Sequence, residues 1–141
     1  MTSKIIIEFT DNPNEIRNLG VGDYENLPNG GKIIKVYCQD SSNKWNQWAF
    51  ICAMHELTEF FLCENDGVRE TDIDKFDKWC CEQGVTIEFG DHEKAPYKSQ
   101  HRSAEFIERY LAERLGLDWF EYMDNYVIPE DFKYNKGYGK S

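Results

Sequence analysis

The first forty residues set short β-branched runs against turn residues. The run "KIIIEF", residues 4 to 9, predicts a strand, and "TDNPNE" predicts the loop that follows it. Asn29, Gly30 and Gly31 then precede a second β-rich run from Lys32 to Cys38. The segment between the runs is too long for a tight hairpin, so they are expected to pair through a long loop. Further on, "VTIEF", residues 85 to 89, alternates in polarity and offers a third strand.

From "SSNKW" onward the period becomes helical. Ser41, Ser42 and Asn43 are candidate N-caps for a helix over about residues 44 to 64, with Asn65 or Gly67 taking a left-handed conformation at its end. Thr71 to Asp74, "TDID", reads as a capping box ahead of Ile73, Phe76 and Cys80, and Gly84 is the stop. A second long helix is expected from Lys98 to Leu115, with an apolar stripe of Ala104, Ile107, Leu111 and Leu115. Asp118 caps a last short helix, with Glu121 completing a second box and Pro129 blocking continuation. Trp45, Trp48, Trp79 and Trp119 fall within helical stretches and are assigned to the core or its edge. These elements make one mainly helical α+β domain over residues 1–129, with a small N-terminal β-sheet of two or three strands and two long core helices. A loosely ordered tail follows at 130–141.

The segment "WAFICAMHELTEFFLCE", residues 48 to 64, is apolar around most of its circumference yet carries His55, Glu56 and Glu59 at its centre. Unpaired charges in such a helix cost several kcal/mol, roughly, so a cation, a mutual hydrogen bond or an open cleft has to compensate them. His55 and Glu59 stand four apart and project from one face toward a common point. H-E-L-T-E resembles the zinc-protease H-E-x-x-H with Glu in place of the second histidine. In that analogy His55 and Glu59 are ligands and Glu56 is the general base. His101, at the start of "HRSAEFIER", is the expected third ligand, joined by one of Glu105 or Glu108 from the same helix. Mixed nitrogen and oxygen ligation suits a divalent metal, zinc first and iron or manganese next. His92, with Asp91 beside it, is a minor candidate for closing the site, and Tyr97 for covering its mouth.

Plainer readings stand beside these. A His/Glu pair at i, i+4 is often only a hydrogen bond, and His101 could be a helix cap. Glu105, Glu108 and Glu113 could be a solvated face beside Arg109 and Arg114. A non-enzymatic acidic interaction protein with a structural polar cluster is therefore the alternative from another class.

Composition narrows the field. With 26 acids against 16 bases the net charge is −10, which repels phosphate backbones and disfavours nucleic-acid binding. No uninterrupted apolar run is long enough for a membrane span, and the N-terminus lacks the pattern of a secretory signal. Five cysteines, an odd set without C-x-x-C spacing, suit a reducing compartment, so a cytoplasmic protein is expected.

Two resemblances follow from the motifs. Glu56 and Glu59 with Asp74 and Asp77 form E-x-x-E…D-x-x-D, which resembles the magnesium-binding carboxylates of the all-α nucleotide pyrophosphohydrolases of the MazG and dimeric dUTPase type. Asp74 stands where that family has Glu, and the N-terminal strands do not belong to its fold. Over roughly residues 50 to 122 the chain also resembles a group of small uncharacterised bacteriophage and prophage proteins. The resemblance runs through the H-E-x-x-E helix, "DKFD", Pro96–Tyr97 and the H-x-x-A-x-x-x-E-R helix. It implies a phage or mobile-element origin and no particular reaction.

Overall fold

The computed structural model describes residues 4–16 and 20–127. The expected C-terminal tail and Pro129 lie outside the described residues. β1 (Ile5–Thr10), β2 (Gly22–Asn26) and β3 (Lys32–Tyr37) form one sheet in the order β1-β3-β2. β1 runs parallel to β3, from Ile5 opposite Lys32 to Thr10 opposite Tyr37. Parallel neighbours need a crossover rather than a hairpin. Here the long connection contains β2, which lies antiparallel to β3 on its other side. The β2–β3 turn closes through Leu27 N–H to Gly31 O at 2.8 Å, with Gly30 at φ 83°. "GDYEN" escapes a pattern search because Tyr24 is its single large apolar residue; packing of Tyr24 on the helix layer fixes it as a strand.

α1 (Asn43–Asn65) starts where the Ser42 hydroxyl accepts the Trp45 N–H, and it ends with Val68 N–H on Cys63 O beside Gly67 at φ 77°. Asn65 stays helical. α2 (Glu70–Gln83) begins two residues earlier than the expected capping box requires. Arg69 holds the N-cap position without a side-chain bond and pairs with Asp72 at 3.0 Å, so Thr71 lies inside the first turn and not at the N-cap. Gly84, at φ 69°, stops α2.

Residues 85–89 form no strand. Val85 N–H closes the α2 terminus on Cys80 O, and the chain then enters a 3₁₀ turn over Phe89–Asp91. The third strand of the sheet is Gly22–Asn26 instead.

α3 (Lys98–Arg114) packs chiefly on α1. Its expected apolar stripe is rotated. Ile107 and Leu115 are exposed, whereas His101, Ala104, Glu108 and Ala112 are buried. The two alanines allow close approach to α1, and the polar pair finds partners there. α4 (Trp119–Tyr122) is capped by Asp118, which accepts the Glu121 N–H at 2.9 Å, while the Glu121 carboxylate pairs with Lys44. A wide helical turn over Met123–Val127 continues it. The core, between the sheet, α1 and this C-terminal turn, centres on Ile34, Val36, Ile51, Trp48, Tyr122 and Tyr126. No described helix is long and apolar enough to cross a membrane.

Candidate metal centre

Three side chains from two helices converge beneath the sheet. His55 and Glu59 project from adjacent turns of α1, and His101 descends from the first turn of α3. All three are buried. Glu59 Oε2 lies 3.1 Å from His55 Nε2 and 3.0 Å from His101 Nδ1, and the two imidazole rings stand 4.9 Å apart, centre to centre. Potential ligand atoms of His55, Glu59 and His101 all lie within 4.8 Å of one another.

His55 and Glu59 are each held by a further contact. Glu108 Oε1 lies 2.8 Å from His55 Nδ1, and the Tyr122 hydroxyl donates to the other Glu108 oxygen. The Tyr24 hydroxyl donates to Glu59 Oε1 at 3.2 Å. A carboxylate on Nδ1 fixes the imidazole tautomer and directs Nε2 inward, as in many histidine metal sites. Glu108 therefore belongs to the site as the partner of His55 and is absent from the convergent trio. Glu105 lies on the far side of His101, where Glu88, Asp91, His101 and Glu105 form a second, more open group. There His101 Nε2 is 3.3 Å from Asp91 Oδ1 and 3.9 Å from Glu88 Oε1, yet aligned with neither for a hydrogen bond. His92 is in neither group; its ring sits against Phe76 and Trp79, and its Nδ1 accepts the Lys94 N–H.

The electrostatics follow from burial with close partners. Burial pulls the His101 pKa down, but Asp91 and Glu59 outweigh it and raise it to about 10. For His55, likewise, burial is opposed and outweighed by Glu108 and Glu59, holding it well above the usual range. Glu59 moves the other way. Burial pushes it up, and the two histidines more than reverse that, to about 2. Two imidazoliums and the two carboxylates of Glu59 and Glu108 can thus balance one another without an ion. Metal binding at this point means exchanging imidazolium protons for a cation.

Beside the trio opens a cavity of about 480 Å³, bounded by α1, α2, β2 and the 85–90 segment. Its carboxylate lining is Asp23, Glu56, Glu59, Glu70, Asp74, Asp77, Glu88 and Glu108, against one lysine, Lys78. Burial, reinforced by the Glu59 charge, holds the Glu56 carboxyl well above its usual range. Burial likewise lifts Glu88 to about 7 and Asp77 to about 7, although Asp77 accepts a 2.5 Å bond from the Tyr97 hydroxyl. Tyr97 is a buried wall residue, fixed through Asp77. Two glycines let this wall close in. A Cβ on Gly90 would meet the His101 ring at 2.3 Å, and one on Gly22 would meet Glu56 at 2.9 Å.

The donor set fits a borderline divalent ion. Two imidazoles and one carboxylate make the ligand combination of several catalytic zinc sites, in which a fourth position faces the substrate. Tyr24 and Tyr122, which brace the two carboxylates, went unnoticed in the sequence. Tyr24 lies in a strand without an alternating pattern, and Tyr122 is one aromatic among many in "DWFEYMDNY".

Among known proteins, the chain matches no family model, no curated protein and no solved structure.

Proposed function

We propose that this chain is a mononuclear metal-dependent hydrolase, with zinc as the preferred ion and iron or manganese as substitutes. His55, Glu59 and His101 are the ligands, and Glu56 is the general base. The observation that carries the reading is the convergence of His55, Glu59 and His101 at the wall of a cavity that Glu56 also lines. A bound divalent ion supplies Lewis acidity and eases deprotonation of water. Glu56 follows His55 on α1 and lines the same cavity as the trio, so it can take the proton from an attacking water and pass it to the leaving group. Burial favours the neutral form of its carboxyl, which suits a group that holds a proton before returning it to the leaving group. Glu108 keeps the proton on His55 Nδ1, so that Nε2 faces the ion.

The test is turnover of a panel of peptide, amide and ester probes by zinc-loaded protein, with Glu56→Gln alongside. The reading expects activity that chelation removes and zinc restores. It also expects Glu56→Gln to keep zinc while losing about 100-fold or more in kcat. Turnover that ignores zinc, no turnover of any probe, or an undiminished Glu56→Gln enzyme would each oppose it.

One observation favours a second reading. Glu56 and Glu59 from α1 and Asp74 and Asp77 from α2 all line the same cavity, as a magnesium-dependent nucleotide pyrophosphohydrolase would require. Against it, Glu59 is already engaged by two histidines, and the three-stranded sheet is foreign to that all-α fold. Magnesium-dependent release of pyrophosphate from nucleoside triphosphates separates the two readings.

A further inference from the structure

The strand β1 is poorly covered on both faces. Ile5, Ile6, Ile7 and Phe9 are 56%, 42%, 41% and 44% exposed. Among the described residues, β1 is also a terminal strand of the sheet, bonded to β3 along one edge alone. An apolar strand of six residues with an open edge and no proline is what sheet proteins usually shield. Ile7 and Phe9 lie opposite Ile34 and Val36, which are buried under the helix layer, so the apolar underside of the sheet runs out past that layer at β1.

The parity of the backbone bonds fixes what the open edge offers. Lys4 O accepts Lys32 N–H and Thr10 O accepts Cys38 N–H, so even-numbered residues of this segment face β3. The N–H and C=O groups of Ile5, Ile7 and Phe9 consequently point outward. An antiparallel copy of the same strand can meet them in a register that sets Ile5 against Ile7 in hydrogen-bonded pairs. That register puts Ile6 against its own symmetry mate and Lys4 against Glu8, both in the closer, non-hydrogen-bonded pairs. The strand is thus complementary to itself in bonding parity, apolar surface and charge. Glu8 would lie between Lys35 of its own sheet and Lys4 of the second copy.

We propose that β1 is the interface for a second copy of this chain, pairing antiparallel about Ile6 to make a continuous six-stranded sheet across a two-fold axis. An isologous contact of this kind is the commonest route to a soluble dimer. No residue of β1 lines the cavity or belongs to the His/Glu cluster, so the contact stands or falls independently of the hydrolase reading.

The test is sedimentation equilibrium of the full, tag-free chain over a range of concentrations, with charge variants. A dimer is expected. Lys4→Glu alone and Glu8→Lys alone should each weaken it by about ten-fold, because each sets like charges across both symmetric pairs, and the double swap should restore it. In a Cys81→Ser background, Ile6→Cys should form a disulfide-linked dimer on mild oxidation, whereas Ile7→Cys should not, since only position 6 faces its own copy at bridging distance. A monomer at all concentrations would overturn the proposal. So would a dimer unaffected by either single charge change, or cross-linking at position 7 in preference to position 6.

Discussion

His55 and His101, from different helices, share a single carboxylate oxygen: Glu59 Oε2 lies 3.1 Å from one ring nitrogen and 3.0 Å from the other. The neighbours of that oxygen explain why α1 carries three ionisable residues at its buried centre. They also explain why α3 turns a polar edge inward, because each buried charge has its partner on the other helix. Isolated, any one of these groups would destabilise the fold by several kcal/mol, roughly; together they form a closed set open to exchange with a cation.

Glu108 acts on the site through His55. Replacing it by Gln removes the carboxylate that fixes the His55 tautomer while leaving His55, Glu59 and His101 in place. Zinc affinity, measured by competition with a chromophoric chelator, should fall by about 10- to 100-fold. His55→Ala should abolish binding outright. Equal effects of the two changes would make Glu108 a ligand in its own right.

Two glycine substitutions should separate ligand from base. Gly90→Ala puts a methyl group within 2.3–2.7 Å of the His101 ring, which cannot yield as a flexible chain end can. It should cut zinc affinity without altering any ligand. Gly22→Ala presses instead on Glu56 Cγ and Oε1 at 2.9 Å. It should leave zinc binding close to wild type and lower turnover. Circular dichroism checks that both variants fold, and the reverse pattern of effects would contradict the assigned roles.

The metal-free protein should be most stable on the acid side of neutrality. Asp77 rises from 3.8 to about 7 and Glu88 from 4.5 to about 7, so the folded state keeps protons that the unfolded chain has released, and stability declines as pH climbs through that window. His101, raised to about 10, adds stability below 6.5 that is lost toward 10. Glu59, depressed to about 2, adds stability above 4.5 that is lost in acid. Thermal midpoints in the presence of a chelator should therefore peak at about pH 5, and Asp77→Asn should flatten the fall toward neutrality. A maximum at pH 8 in the wild type would contradict these assignments.

The convergence of the two long helices on His55, Glu59 and His101 is more legible in the sequence than the makeup of the sheet. Helical spacing alone aligns His55 with Glu59, and the polar residues of α3 offered His101 and Glu108 as their counterparts. Helix periodicity says which residues share a face. It does not say which way a carboxylate turns, so Glu105 and Glu108 were indistinguishable until α3 packed with Glu108 toward Tyr122 and Glu105 toward Asp91. β2 stayed hidden because its strand state comes from pairing with β3 and from Tyr24 packing on Phe60 and Glu59. Conversely, residues 85–89 have the alternation of a strand but pair with none of the three strands. They line the cavity instead, with Thr86, Ile87 and Glu88. The α3 stripe was misplaced because apolar counting favoured Ile107 and Leu115 over a face whose burial is driven by paired polar groups.

If His55, Glu59 and His101 together hold one ion, an unbiased metal inventory of tag-free protein will register it. Mass spectrometry of the elements should find close to one zinc per chain in the wild type, and almost none in folded His55→Ala or His101→Ala protein. Wild-type protein that purifies without metal and takes up none from a zinc solution, or zinc content that survives both substitutions, would contradict that shared ligation.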